Sequence, residues 1–160
     1  MLYERFECYI KGGSYKNSRY HLPCEDETSP LAVRAVEIPH EMYFGNESGS
    51  WNGSGVSFLD VSSDGKAYGV AYLITEEQFE HVSMGENDGR SPCPGYYWYE
   101  DIIELGEMDG FKMKTLTNAE IRPYNKPSKD YLDTLRDGLK ENFPELSNEE
   151  IENYLDACTR

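Results

Sequence analysis

Basic residues are scarce in this chain of 160 residues. Lys and Arg number 15 against 30 Asp and Glu, which gives a formal net charge of −15 and a pI near 4.5. A protein that binds nucleic acid needs a basic surface to neutralise the phosphates, and one that docks on anionic lipid needs clustered Lys or Arg. The composition therefore argues against a nucleic-acid partner and against a membrane-surface partner.

Recognisable cysteine and histidine motifs are also missing. Zinc sites built from Cys and His have short, regular ligand spacings, and here we find neither a Cys-x-x-Cys pair nor a Cys/His cluster. We therefore predict no metal site, and scattered thiols of this kind are typical of a reduced, cytoplasmic protein. The isolated residues are Cys8, Cys24, Cys93, Cys158, His21, His40 and His81.

Long apolar runs are absent as well. No stretch approaches the ~18 residues that a membrane-spanning helix needs, and the N-terminal sequence MLYERFECYIKGG lacks the apolar centre of a signal peptide. Phosphate-binding Gly-rich motifs and the Gly-x-Ser-x-Gly motif are not found. The chain has instead many aromatic residues, 13% of the total, which can cover enough area for a core. The length fits one domain, which we predict to span residues 1–160.

Alternating apolar patterns predict about six strands separated by turn sequences. Pro39 is expected to end the first strand, SSDGK (62–66) to form a hairpin turn, and the pair Asp109-Gly110 to join the last two strands. Hairpins dominate this order, which predicts an α+β fold with a small mixed, largely antiparallel barrel or sheet. The expected strands are residues 31–38, 41–45, 56–61, 67–74 and two segments within 101–118.

Three or four helices are expected to flank this sheet. Residues 3–10 mix apolar and charged positions as in a short helix. Ser128 caps a helix with an apolar stripe that ends before Pro144, and Ser147 with Glu150 forms the capping box of a final helix.

The helix that matters most for function is predicted in the middle of the chain. Thr75 and Gln78 form a capping box, which predicts a helix over residues 76–84 with Gly85 near its C-terminus. Glu86 then lies just past the helix, on a loop that leads to the aromatic sequence YYWY. A carboxyl group buried against such rings holds its proton to higher pH and is suited to proton transfer near neutrality. Glu86 is our candidate general acid or base, although an ordinary loop carboxylate would occupy the same place.

A tryptophan lies in the loop GNESGSWNGSG (45–55). A large ring in a loop rich in Gly, Ser and Asn indicates a pocket wall, which makes Trp51 a candidate for ligand contact. The other interpretation is that Trp51 fills the core.

Several motifs, in their order, resemble the gamma-glutamylcyclotransferase-like family. They are FGN (44–46), WNGSG (51–55), AYGVAYLIT (67–75), EEQFEHVSMGEN (76–87), IIEL (102–105) and the Pro127-Ser128-x-x-Tyr131 stretch. The resemblance covers most of residues 1–140. It implies a compact mixed fold built on a small β-barrel.

The resemblance also implies a reaction. The α-amino group of a small γ-glutamyl compound attacks its own γ-carbonyl, which releases 5-oxoproline, with Glu86 as the catalytic acid and base. It implies substrate contacts for Tyr99, Asn46, Trp51 and Tyr131, and neither a cofactor nor a metal. A non-catalytic module that binds a small ligand on the same fold is the alternative, and a purely structural interaction protein is a third.

One motif of the family, a strand ending in Tyr-Gly-Ser-Asn, does not occur in this sequence. MLYER (1–5) is similar to the residues that directly follow that motif, so the domain is expected to lack the first strand and its substrate loop. The absence of such a loop would leave an exposed sheet edge, which favours a homodimer.

Overall fold

The computed structural model describes residues 2–16 and 18–159. Helices flank two antiparallel hairpins in an α+β arrangement, as the sequence predicts. In chain order the elements are α1 (Tyr3–Lys11), β1 (Ala32–Ser48), a short 3-10 helix (Gly49–Trp51), β2 (Ser54–Leu73), α2 (Glu76–Glu86), β3 (Asp101–Met108), β4 (Phe111–Thr117), α3 (Lys129–Asn142) and α4 (Asn148–Cys158).

The first four predicted strands are in fact two long ones. β1 and β2 pair antiparallel along most of their length, so the predicted strand end at Pro39 is wrong. Proline cannot donate to a ladder, but register shifts on both sides of His40 let β1 continue past it. The β1–β2 connection lies further on, where Asn52 and Gly53 both take positive φ.

The predicted turn at residues 62–66 is also wrong, because this segment is an irregular part of β2. His40 pairs with Asp64 and Glu41 pairs with Asp60, so the intervening residues of β2 bulge out of the ladder. The carboxylate of Asp60 accepts hydrogen bonds from the backbone N–H of Ser62 and from two serine hydroxyls. A sequence rich in Ser, Asp and Gly therefore makes a bulge here instead of a chain reversal.

The second hairpin agrees with its sequence signal. β3 and β4 pair antiparallel, and their connection at Asp109 and Gly110 has φ of 52° and 84°. Both values fit a type I′ turn, for which Asp-Gly is a preferred pair.

The main core lies where α3 and α4 pack on the β1–β2 hairpin. Ser128 and Ser147 cap these helices as expected, and the predicted apolar faces point inward. The buried members of the cluster are Phe44, Trp51, Tyr131, Leu135, Leu139, Phe143, Ile151, Leu155 and Cys158.

The two hairpins remain separate two-stranded sheets, and residues 2–16 and 18–159 form no closed barrel. A cleft of about 620 Å³ and a smaller cavity of about 270 Å³ lie between them. Residues 70–71 of β2 and 113–116 of β4 line both cavities. Within the described part of the chain, no helix combines the length and the apolar character needed to cross a membrane.

The core account predicts that Leu139→Ala destabilises the protein. Leu139 lies on the inner face of α3 and is completely buried in the core cluster. A Leu→Ala change in such a site costs about 2–5 kcal/mol. Urea unfolding measures the loss. Leu31→Ala is the matched control because its side chain is 85% exposed, and an equal loss in both variants would contradict the assigned core.

Candidate functional site

Helix α2 carries the candidate carboxylate, and it ends later than predicted. Thr75 and Gln78 form the expected capping box, but the helix continues through Gly85 to Glu86, its last residue. Gly85 keeps a helical conformation, and the left-handed residues that turn the chain away are Asp88 and Gly89. The placement of Glu86 on the following loop is therefore wrong by one residue.

The positively charged side chain of Arg19 lies at the C-terminal end of α2. Arg19 donates to the carbonyl of Gly85 and forms an ion pair with Asp88 at 3.0 Å. A guanidinium there satisfies a terminal carbonyl and interacts favourably with the helix dipole. These contacts hold the turn on which Glu86 lies.

Glu86 contacts helix α1 through a tyrosine. The hydroxyl of Tyr9 donates a hydrogen bond to Oε1 of Glu86, and Nη2 of Arg5 donates to the same hydroxyl at 3.2 Å. Tyr9 is 6% exposed, whereas Glu86 is partly exposed. Within residues 2–16 and 18–159, Oε2 of Glu86 makes no hydrogen bond. Tyr9 thus holds Oε1 of Glu86, while Oε2 is left to interact with a ligand.

Burial and charge keep the neighbouring tyrosines protonated. Burial first, and then the charge of Glu86, raise the pKa of Tyr9 above its ordinary value. The same two causes raise the pKa of Tyr99 well above its ordinary value, and Tyr131 and Tyr9 add to the effect. Both hydroxyls are therefore neutral donors near neutral pH.

Arg5 supplies the positive charge of this group. Burial opposes its charged form, but the neighbouring Tyr9 and Glu86 outweigh burial and raise the pKa of the guanidinium. Tyr131 and Tyr99 contribute in the same direction. The guanidinium lies close enough to interact with all four side chains, and it remains charged throughout the physiological range.

Tyr99 is fixed through its backbone by the residue after Glu86. The side chain of Asn87 accepts from the Tyr99 N–H at 2.9 Å and donates to the Tyr99 carbonyl at 3.2 Å. Asn87 is completely buried. Its side-chain amide makes the two backbone hydrogen bonds to Tyr99 that a neighbouring strand would otherwise make. These bonds connect the segment before β3 to the end of α2.

Tyr131 and Trp51, both expected at the substrate site, lie in the core. Tyr131 is 4% exposed, and its hydroxyl accepts from the N–H of Ser57 at 3.0 Å and lies 2.8 Å from the Ser57 Oγ. The Trp51 ring packs 4.9 Å from that of Tyr131. Tyr131 is close enough to interact with Arg5 and Tyr99. Trp51 is one step further away, since its ring packs on Tyr131 within the core.

Asn46 makes its contacts with other loops. Its Nδ2 donates to the Tyr97 carbonyl at 2.9 Å, and its backbone pairs with Pro123 and Asn125. It is 2% exposed with a positive φ of 56°. Its Oδ1 has no partner among the described residues, so Asn46 joins three segments and keeps one unused acceptor.

The cleft between the hairpins adjoins this group through Tyr99. Tyr99 lines both cavities, and the larger one is also lined by Phe6 of α1 and by Phe79 and Val82 of α2. Glu86 lines neither of the two. The carboxylate therefore lies near the cleft but outside it.

Arg5 and Tyr9 did not emerge from the sequence as site residues. They are four positions apart on a short helix, so they share one face of α1. That spacing was the available signal. What the sequence could not show is that α1 places this face against the end of α2.

Comparisons with known proteins support the fold. No protein-family model matches this sequence, and no curated protein matches it. One solved structure described as "Gamma-glutamyl cyclotransferase" has the same fold with a TM-score of 0.53, at 18% sequence identity over 79% of this chain and 72% of the other. The chain thus has a gamma-glutamyl cyclotransferase-like fold.

The contact between Asn87 and Tyr99 predicts that Asn87→Asp lowers the free energy of unfolding by about 1–3 kcal/mol. The aspartate can still accept from the Tyr99 N–H, but it has lost the donor and faces the Tyr99 carbonyl. Chemical denaturation measures the difference. Asn153→Asp on an exposed face of α4 adds the same charge, and a similar loss in this control would contradict the role given to Asn87.

Proposed function

We propose that the protein catalyses gamma-glutamyl cyclotransfer, in which a small γ-glutamyl compound forms 5-oxoproline and releases an amine or amino acid. The observation that carries the proposal is the group of Glu86, Tyr9 and Arg5 beside Tyr99. The gamma-glutamyl cyclotransferase-like fold supports the same reaction class.

The proposed reaction requires proton transfer more than strong nucleophilic activation. Glu86, through its free Oε2, takes a proton from the α-ammonium of the substrate. The amine nitrogen then attacks the γ-carbonyl carbon within the same molecule, and a tetrahedral intermediate forms. When the bond from this carbon to the leaving nitrogen breaks, Glu86 returns the proton to that nitrogen. The attacking nitrogen still carries one proton more than a neutral lactam, and it loses this proton to the released amine, which leaves as an ammonium ion. Because both reacting groups belong to one molecule, the enzyme has to fold the substrate and move protons.

Tyr9 is a positioning residue in this scheme. Its hydroxyl, held protonated by burial and by Glu86, fixes Oε1 and leaves Oε2 to meet the substrate. A general base works best when its geometry is set before the substrate arrives.

Arg5 is proposed to bind an anionic group of the substrate. Between residues 2–16 and 18–159 it forms no ion pair with a carboxylate within 4.0 Å, and its one side-chain hydrogen bond goes to Tyr9. A γ-glutamyl compound has an α-carboxylate next to the reacting amine. A guanidinium is well suited to such a group because its donors match both carboxylate oxygens.

We retain Tyr99, Asn46, Trp51 and Tyr131 as proposed substrate-pocket residues, with different roles. The side chains of Tyr99 and Tyr131 both interact electrostatically with Arg5, and Tyr99 also interacts with Glu86. Trp51 and Asn46 have indirect roles. Trp51 packs on Tyr131, and Asn46 holds the Tyr97 backbone by a hydrogen bond.

A second function is favoured by the cleft. Its volume of about 620 Å³ is sufficient for a small molecule, and Tyr99 is shared with the Glu86 group. Because Glu86 does not line it, the cleft favours a non-catalytic module that binds a small ligand.

Glu86→Gln decides between these functions. We expect the rate of 5-oxoproline release from γ-glutamyl amino acids to fall at least about 100-fold, which is typical when a general acid or base is removed. Binding of the substrate, measured by calorimetry, should persist. Glu80→Gln, an exposed position on the same helix, should leave the rate unchanged. Saturable binding by the wild type without any 5-oxoproline would instead support the binding module.

Arg5→Lys tests the anion contact. A lysine keeps the charge but loses the paired donors, so we expect KM for a γ-glutamyl amino acid to rise about 10- to 100-fold, from the typical strength of hydrogen bonds to charged groups. Arg90→Lys changes an exposed arginine and serves as the control. The role of Arg5 would be contradicted if KM stayed the same, or if replacing the α-carboxylate of the substrate by a neutral amide cost as much affinity in the variant as in wild type.

A further inference from the structure

A second group of chemically active side chains lies on α2, away from Glu86. Glu77 and His81 are one helical turn apart, and Cys24 approaches them from the chain that follows α1. One ligand atom from each residue lies within 4.8 Å of the other two. The prediction of no metal site treated His81 as isolated, although the Glu77–His81 spacing of four places both side chains on one face of α2.

The segment that carries Cys24 is firmly attached to the helix. Gln78 donates from Nε2 to the carbonyls of Asp26 and Thr28, at 2.8 Å each. The N–H of Cys24 donates to the Ile10 carbonyl at 2.9 Å, and Cys24 is 3% exposed. The thiol therefore stands in a fixed position beside α2.

One ring nitrogen of His81 is held by a backbone carbonyl. Nε2 of His81 lies 2.9 Å from the carbonyl oxygen of Leu22. A carbonyl can only accept, so Nε2 carries the proton in the neutral ring and Nδ1 has the free lone pair. Metal-binding histidines commonly donate their second ring nitrogen to a carbonyl or carboxylate in this way.

The carboxylate is oriented by the same segment. The N–H groups of Glu25 and Asp26 point at Oε1 and Oε2 of Glu77, at 3.2 and 3.4 Å. Carboxylate oxygens have further lone pairs after accepting one such bond. Glu77 can therefore bind a cation without giving up its backbone contacts.

The charges around the thiol favour a cation. Burial, followed by the negative charges of Glu77 and Asp26, raises the pKa of Cys24 to about 11. Glu27 acts in the same direction. A divalent cation would reverse this effect, since it stabilises the thiolate and neutralises the carboxylates around it.

We propose that Cys24, Glu77 and His81 bind a divalent cation of the zinc class, with a water molecule as the fourth ligand. Tetrahedral zinc with sulfur, nitrogen and oxygen ligands sets its donor atoms about 3.4–3.8 Å apart. The ligand atoms of Cys24, Glu77 and His81 lie within 4.8 Å of one another, so they have to approach by about 1 Å to reach this geometry. The site goes beyond the proposed cyclotransfer, and it fastens the segment after α1 to the helix that carries Glu86.

Metal titration of the full, reduced chain tests the proposal. Zn²⁺ affinity is measured by competition with a chromophoric chelator, and Co²⁺ reports the thiolate through a sulfur-to-cobalt charge-transfer band. We expect one ion per chain and binding that strengthens as the pH rises, because the thiol must lose its proton. Cys24→Ser should abolish the cobalt band, and His81→Gln should weaken Zn²⁺ binding by at least about 100-fold.

The chain offers matched controls for both changes. Cys93→Ser alters an exposed thiol and His40→Gln alters a histidine on β1, and neither should affect the metal. Circular dichroism without metal establishes that each variant is folded. The proposal is overturned if wild type binds no stoichiometric Zn²⁺ at micromolar concentration, if the cobalt band is absent, or if Cys93→Ser weakens binding as much as Cys24→Ser. None of these readouts depends on 5-oxoproline formation.

Discussion

The hydrogen bond from Tyr9 to Glu86 is the interaction on which the candidate site depends. It joins α1 to the last residue of α2, and the two helices are distant in sequence. A buried tyrosine hydroxyl without a partner would be costly, and so would a partly buried carboxylate without a donor. The hydrogen bond gives the Tyr9 hydroxyl an acceptor and the Glu86 carboxylate a donor. Their pairing sets the direction of the carboxylate and places Arg5 beside it.

Polar side chains do much of the structural work around this contact. Asn87 holds the Tyr99 backbone as a neighbouring strand would, and Asn46 holds the Tyr97 carbonyl. The segment before β3 can thus be irregular and still well positioned. The two hairpins do not join into one sheet within the described ranges, and the resulting cleft leaves room for a small molecule beside Tyr99.

Local sequence signals predicted the elements whose causes are local. The capping boxes at Thr75 and Ser147 and the Asp109-Gly110 turn all occur as expected. The signals failed at Pro39 and at residues 62–66, where long-range pairing with the opposite strand outweighed a local tendency to break. The same limit applies to the site. Glu86 could be singled out by its place at the end of a helix that leads to the aromatic sequence YYWY, but Arg5, Tyr9 and Cys24 acquire significance only when α1 and the chain after it pack against α2.

A double-mutant cycle on Tyr9 and Glu86, read out as the rate of 5-oxoproline release, tests the central claim most directly. If Tyr9 acts by positioning the Glu86 carboxylate, Tyr9→Phe slows the wild-type reaction but has little further effect in the Glu86→Gln background, since interacting residues are not additive. Equal effects of Tyr9→Phe in both backgrounds would contradict the account, and so would a wild-type protein that releases no 5-oxoproline from any γ-glutamyl compound.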